Sequence, residues 1–360
     1  DFRDHDGLIF PLEIRVAARR AFVTANFGSD HTVPLGAELS TVDALPISSF
    51  LDRLGRFVGA EDTPLRDSFV ADDVRAYMWH AGMLPPFTVG LGRPPHKHTI
   101  RRLRGTTVTA IHAWDNSNAG YDALTPFRMS YAENGTVGVL TIHSFDNPDG
   151  WDRFMSRLVP DMRRHGSRAL LIDLRLNSGG DTETSDALLS LFAHRRFRDV
   201  SSVDIRVSGV TKHSYGKERY LEIYGTDAWN SPNGTLLHQS VEWTNSMPAS
   251  STFSGRVYIL DGPGTFSTAA IFAAAVQDNH AGTILGQRSG GLATLDGESF
   301  AFQLPNSRLD GTVSTKYFVR PNGGRASTDV IPDHVLPPSP PGAPTDPELD
   351  AAIAYARQHS

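Results

Sequence analysis

The chain has 360 residues, a length that suits two or three domains, and its 39% apolar and 21% charged residues describe a globular protein rather than a disordered one. Thirty-four basic against 40 acidic residues leave a net charge of −6, so the balance does not point to nucleic acid or an anionic membrane as partner. Cysteine is absent, which excludes disulfides, thiolate metal sites and a cysteine nucleophile; no apolar run approaches the roughly 20 residues of a membrane helix, and no signal-peptide pattern is present.

The chain opens directly on an apolar-alternating stretch, Leu8 to Val23, that reads as two strands around Pro11. With no leader before it, this start suggests that a natural N-terminus has been removed. Residues 33–125 read as a small separate unit. Within it, Phe50, Leu51, Leu54, Phe57 and Val58 recur at helical spacing after a strand and turn, and the proline-rich 82–100 reads as loop or edge structure. From Gly135 the pattern becomes strand, turn, helix. Buried strands are predicted at GTVGVLTIHSF, ALLIDLRLNSGG, RVYILDGPGTF and GTILGQ. Helices are predicted over Trp151 to Arg164, Thr184 to Phe192 and the Ala-rich STAAIFAAAVQDN. Such alternation argues α/β architecture with sites at the C-terminal strand ends. A proline-rich spacer, 337–344, precedes a last helix over Pro347 to Gln358.

Two segments could carry chemistry. In the first, a strand ends, glycines turn the chain at Gly262 and Gly264, and Ser267 falls at the start of the Ala-rich helix. Two readings of Ser267 stand at this point. Serine is a favoured helix N-cap because its hydroxyl bonds orphan amides. The same position places a nucleophile beside free N–H groups that can hold an oxyanion. In the second segment, Asp173-Leu-Arg175-Leu-Asn177-Ser-Gly179-Gly180, the glycine pair lets backbone amides approach a substrate. Asp173 and Arg175 read as structural, tying down the turn.

Taken together and in order, these segments resemble the carboxy-terminal-processing, or tail-specific, serine peptidases, whose relatives include the tricorn core protease and the retinoid-binding repeats of the eye. The matching residues are Asp173, Arg175, Asn177, Gly179 and Gly180, then Ser267, then Gln277 and Asp278, then Gly286 with Gly290 and Gly291, and finally Pro332 and Asp333. The resemblance covers about 135 to 336. It implies a ClpP/crotonase-like spiral core over 131–345, followed by a C-terminal helix over 346–360. It also implies a PDZ-like module with linker over 33–130, on the match around Pro34, Gly36 and Glu38, behind an N-terminal segment 1–32 that carries the base. It implies a Ser267 acyl-enzyme acting on a peptide or protein segment. The oxyanion donors would be the N–H groups of Gly179 or Gly180 and of Thr268. No cofactor or metal is implied, and a secreted or cell-envelope setting is. A small-ester hydrolase, or a non-catalytic binder of apolar ligands, on the same fold are the alternatives. Oligomeric state is left open.

A serine hydroxyl needs a neighbouring base. Family members that use lysine place it just past a glycine pair, where this chain has Leu292. None of its four lysines, Lys97, Lys212, Lys217 and Lys316, lies nearby in sequence. Other members use a histidine ahead of the PDZ-like module. His5, in Arg3-Asp4-His5-Asp6, is the best match, although between two aspartates near a chain end it also reads as a solvated residue. His98 is second, with a surface loop as its plain reading, and His143 on a strand reads as a packed core residue. His96 and His98 are too isolated to argue for a metal, and no H-E-x-x-H spacing exists. The family's acid position holds Ala326. Asp329, with Glu298 behind it, is the candidate to orient the imidazole; a dyad without an acid is the other option. Asn134-Gly-Thr and Asn233-Gly-Thr are glycosylation sequons by pattern.

Overall fold

The computed structural model describes residues 7–29, 32–92, 99–117, 126–146 and 149–360. In chain order, the first part contains β1 (Leu12–Ala17), β2 (Arg20–Asn26), β3 (Glu38–Val42), β4 (Leu45–Pro46), α1 (Ile47–Leu54), α2 (Thr63–Asp72), α3 (Val74–His80), β5 (Phe87–Leu91), β6 (Thr99–Leu103) and α4 (Val108–Ser117). The second contains β7 (Phe127–Ala132), β8 (Val137–Ile142), α5 (Trp151–His165), β9 (Ala169–Asp173), α6 (Thr182–Ser190), β10 (Ser202–Arg206), α7 (Gly209–Asn230), β11 (Leu236–Ser240), β12 (Arg256–Asp261), α8 (Thr268–Asp278), β13 (Thr283–Gly286), β14 (Leu295–Gln303), β15 (Asp310–Val319), β16 (His334–Val335) and α9 (Pro347–Gln358).

Three sheets organise these elements. The first runs β1-β2-β3-β5-β6 with β4 paired to β3, all antiparallel. Strands before and after residue 32 therefore share one sheet, so the N-terminal segment and the unit behind it are joined by pairing. The turn between β1 and β2 falls at Ala18 and Arg19, both with positive φ, and not at Pro11, which precedes β1. The proline-rich stretch also differs from expectation. Its prolines cluster before and after Phe87–Leu91, so these five residues are free to pair on both sides as an interior strand. The second sheet is β11-β10-β15-β14, and the long α7 bends at Gly216 and Gly225.

The third sheet, β16-β13-β12-β9-β8-β7, is parallel except for β7. Its inner strands are apolar almost without interruption because both faces are covered. The period of two still shows. Leu170 and Ile172 enter the core under α5, α6 and α8, while Ala169 and Leu171 face the core under α9. Alanines along α8 let that helix lie close to the sheet, with every residue from Thr268 to Val276 buried. No described helix is long and apolar enough to cross a membrane.

Two buried ionisable side chains lie at the carboxyl ends of these strands. Arg175, 3% exposed, bonds Asp173, Asp346 at the N-cap of α9, and Glu348. Burial pushes Asp346 up, but the Arg175 hydrogen bonds and charge outweigh it and hold the carboxyl below its ordinary range. Burial pushes Glu348 up, and Arg175 only partly opposes it. Replacing Arg175 by Ala strands three carboxylates out of water. The expected loss is about 3–5 kcal/mol, measured by chemical denaturation.

Asp261, the last residue of β12, is fully buried. Its Oδ1 accepts the Gly262 N–H at 2.8 Å, and its Oδ2 has no partner among the described residues. Burial pushes this carboxyl up to about 8, against the pull of Thr265 and the Gly262 N–H, with the Asp329 charge adding to the rise. The native state therefore keeps a proton that the unfolded chain releases near pH ~3.9. The stability Asp261 contributes is fully present below that value and is lost as pH rises through about 8. Asp261→Asn is expected to flatten the pH–stability curve across this window by up to about 1.4 kcal/mol per pH unit. A denaturation series from pH 4 to 9 checks it, and parallel curves for the two proteins contradict it.

Candidate active site

The chain leaves β12, turns through Gly262–Phe266 and enters α8 at Ser267. This turn is held from two sides. From the loop after β9, the Asn177 carbonyl accepts the Phe266 N–H at 2.9 Å, and the Leu174 carbonyl accepts the Thr265 hydroxyl at 2.9 Å. From the loop after β13, the N–H of Gly291 donates to the Thr265 carbonyl at 2.8 Å. Glycines are required where these loops meet. A Cβ on Gly179 would lie 2.8 Å from the Ser267 Cβ, and one on Gly291 would lie 3.0 Å from the Ser267 nitrogen.

Ser267 occupies the N-cap position of α8 but its side chain makes no capping bond. Its backbone sits at φ 53, ψ −125, a region that costs an L residue about 1–3 kcal/mol. The residue is half-buried, and among the described residues no hydrogen bond engages its hydroxyl. The N-cap reading of the serine thus has the right position and lacks the bond that would justify it. A strained serine on a sharp strand-to-helix turn is the geometry that presents Oγ as a nucleophile.

The Asp-x-Arg-x-Asn-x-Gly-Gly segment works as a scaffold. Asp173 Oδ1 accepts the Arg175 backbone N–H and Nε, and Asn177 Oδ1 accepts the Gly179 N–H at 2.9 Å. The Gly179 amide is therefore already engaged. Gly180 has its carbonyl bonded by the Thr268 hydroxyl at 2.5 Å, while its N–H has no partner among the described residues. The Thr268 N–H opens α8, where no intrahelical acceptor exists for it.

The other expected residues are spread out. His5, His96 and His98 lie outside the described residues. His143 is half-buried rather than core, and it lines a cavity with Asp173 and Arg175. Asp329 pairs by backbone with Leu292, next to Gly291, so its main chain comes near the serine. Its carboxylate is taken by Arg288, with Nη2–Oδ1 at 2.6 Å. Glu298 lies on the second sheet and bonds Lys316 at 3.1 Å. Gln277 and Asp333 join α8 to the closing segment at 3.2 Å, a structural link. One neighbour has no local sequence signal: α2. Phe69 packs edge-on against Phe266 with centroids 5.2 Å apart, and Leu65 and Ser68 of the same helix border Gly290 and Gly264.

Comparison with known proteins agrees with this geometry. Among curated proteins nothing matches. Solved structures share the fold. A point mutant of CPAF has a TM-score of 0.67 at 16% identity, covering 99% of this chain and 83% of that one. Mature CPAF has a TM-score of 0.63 at 18% identity, covering 98% and 83%. An S41 protease of Bacteroides fragilis has a TM-score of 0.50 at 11% identity, covering 99% and 86%. The family model for peptidase family S41 matches residues 136–336, more than half the chain, from β8 to the end of the closing segment. On that match, laid over the strand-end turn that carries Ser267, the chain belongs to peptidase family S41 and is a serine peptidase.

Proposed function

We propose that Ser267 is the nucleophile that opens a peptide bond. The observation that carries this reading is its backbone conformation at the entrance of α8, with a hydroxyl unspent on capping. The serine Oγ attacks the carbonyl carbon as its proton passes to an imidazole. The tetrahedral oxyanion takes the Gly180 and Thr268 N–H groups, at the positive end of α8. Gly179, whose N–H is bound by Asn177, holds the approach open and is the weaker donor. The amine leaves with the proton from the imidazolium, and water then hydrolyses the acyl-enzyme by the same steps in reverse order. The imidazole is that of His5, with His98 as second candidate. Asp329 stays in its ion pair with Arg288 in this reading, which makes the machinery a Ser–His dyad. The parallel sheet with α5, α6 and α8 is read as the ClpP/crotonase-like core, α9 as the helix that follows it, and residues 33–130 as a PDZ-like module with linker.

A fluorophosphonate probe with intact-protein mass spectrometry tests the nucleophile. Wild type takes one phosphonyl group and Ser267→Ala takes none, and peptide hydrolysis by the variant drops on the order of 10⁶-fold in kcat. Undiminished labelling of the variant rejects the assignment. His5→Ala is expected to lower kcat about 10²–10⁴-fold and to remove the acidic limb of the pH–rate profile. Full activity in that variant moves the base to His98.

A further inference from the structure

The two N–H groups read as oxyanion donors belong to residues 88 positions apart, and one side chain joins those residues. The Thr268 hydroxyl donates to the Gly180 carbonyl at 2.5 Å. Thr268 is 4% exposed and opens α8 directly after the serine. A threonine inside a helix usually spends its hydroxyl on the carbonyl three or four residues back. At the first residue of α8 those carbonyls lie outside the helix, and the hydroxyl reaches the loop after β9 instead.

That loop is bonded on either side of the Gly180 N–H. The Gly179 carbonyl accepts the Phe145 N–H at 2.7 Å, and the Asp181 N–H donates to the Phe145 carbonyl at 3.1 Å. A peptide unit is planar and trans, so its N–H and carbonyl point to opposite sides. With the Gly179 carbonyl turned to Phe145, the Gly180 N–H is directed away from Phe145, and it has no partner among the described residues. The next peptide unit is gripped at both ends, its N–H by Phe145 and its carbonyl by Thr268. Gly179 and Gly180 stand at φ 112 and 132, where only glycine moves freely. Sterics alone therefore leave these peptide planes room to turn, and hydrogen bonds have to fix them. Thr268 supplies the one that comes from the serine's own helix.

We propose that Thr268 acts through its side chain as a positioning residue for the oxyanion site: its hydroxyl fixes the Gly180 peptide so that the Gly180 and Thr268 N–H groups converge on one oxygen. Such a site works only where its donors stand about 2.7–3.1 Å from the developing oxyanion. The proposal rests on the Ser267 reading, because that oxygen belongs to the group Ser267 attacks.

Phosphonylation kinetics provide the test. The fluorophosphonate probe bonds its phosphorus to Ser267 Oγ, fluoride leaves, the serine proton passes to the base, and the phosphoryl oxygen takes the place of the oxyanion. Thr268→Val removes the hydroxyl at nearly constant shape and keeps the backbone N–H. Its limiting labelling rate is expected to fall about 10²-fold, with the apparent KI of the probe within about twofold of wild type. Thr268→Ser, which keeps the hydroxyl, should return the rate to within about threefold of wild type. Thr268→Ala takes the place of the valine variant if that one does not fold. A valine variant that labels at the wild-type rate, one that loses only probe binding, or a serine variant as slow as the valine variant overturns the positioning role and leaves the Ser267 reading standing. Labelling of Ser267→Ala equal to wild type removes the nucleophile reading and the proposal with it. Absent labelling of the wild type overturns both.

Discussion

The site depends on one close approach, that of Gly179 to Ser267. No side chain fits at 179, since even a Cβ would stand 2.8 Å from the serine's own. The serine's unfavourable backbone geometry is stable only because neighbouring loops determine it. Phe266 and Thr265 are tied to the loop after β9, and Thr265 is tied again by Gly291 from the loop after β13. Strain of about 1–3 kcal/mol is small beside several such bonds acting together. The placement of Ser267 is thus a property of three strand ends rather than of one residue. This is why a parallel sheet, which brings its carboxyl ends to one side, is the suitable platform.

The scaffold beneath those loops is electrostatic. Arg175 binds carboxylates from its own loop and from the start of α9, more than 170 residues away in sequence. Its position is fixed by that network, and its carbonyl lies against Gly264 in the serine turn, where a Cβ would stand 2.3 Å away. The C-terminal helix is therefore coupled to the site through Arg175. The buried Asp261, on the neighbouring strand, ends in the same turn and works in the opposite sense to Asp346, because burial dominates where no cation answers it.

Much of this was legible in the sequence where the signal is local. The apolar runs of β8, β9 and β12, the Ala-rich α8 and the order of motifs around Asp173 to Gly180 and Ser267 locate the parallel sheet and its turn. The proline count misled at Phe87–Leu91 because composition does not say which side of a strand the prolines occupy. The β10, β11, β14 and β15 sheet lacked long apolar runs because much of its surface is exposed. Asp329 could be proposed from its distance to a motif, but its capture by Arg288, 41 residues away, is a tertiary fact. The Phe69–Phe266 contact is likewise invisible to any local pattern.

That contact bears on where a base can come from. Leu292 stands where lysine-using relatives place theirs, and it packs against the apolar cluster of Val200, Ile271 and Leu295. An ammonium at that position would have to be desolvated against these side chains, with burial opposing its charge. The first sheet is not a distant appendage. Arg75 of α3 bonds the carbonyls of Phe10 and Leu12, and α2, the helix before it, rests on the serine turn through Leu65, Ser68 and Phe69. The start of β1 is thereby linked to the serine turn through two packed helices, so the first sheet and the turn after β12 are held as parts of one packed structure.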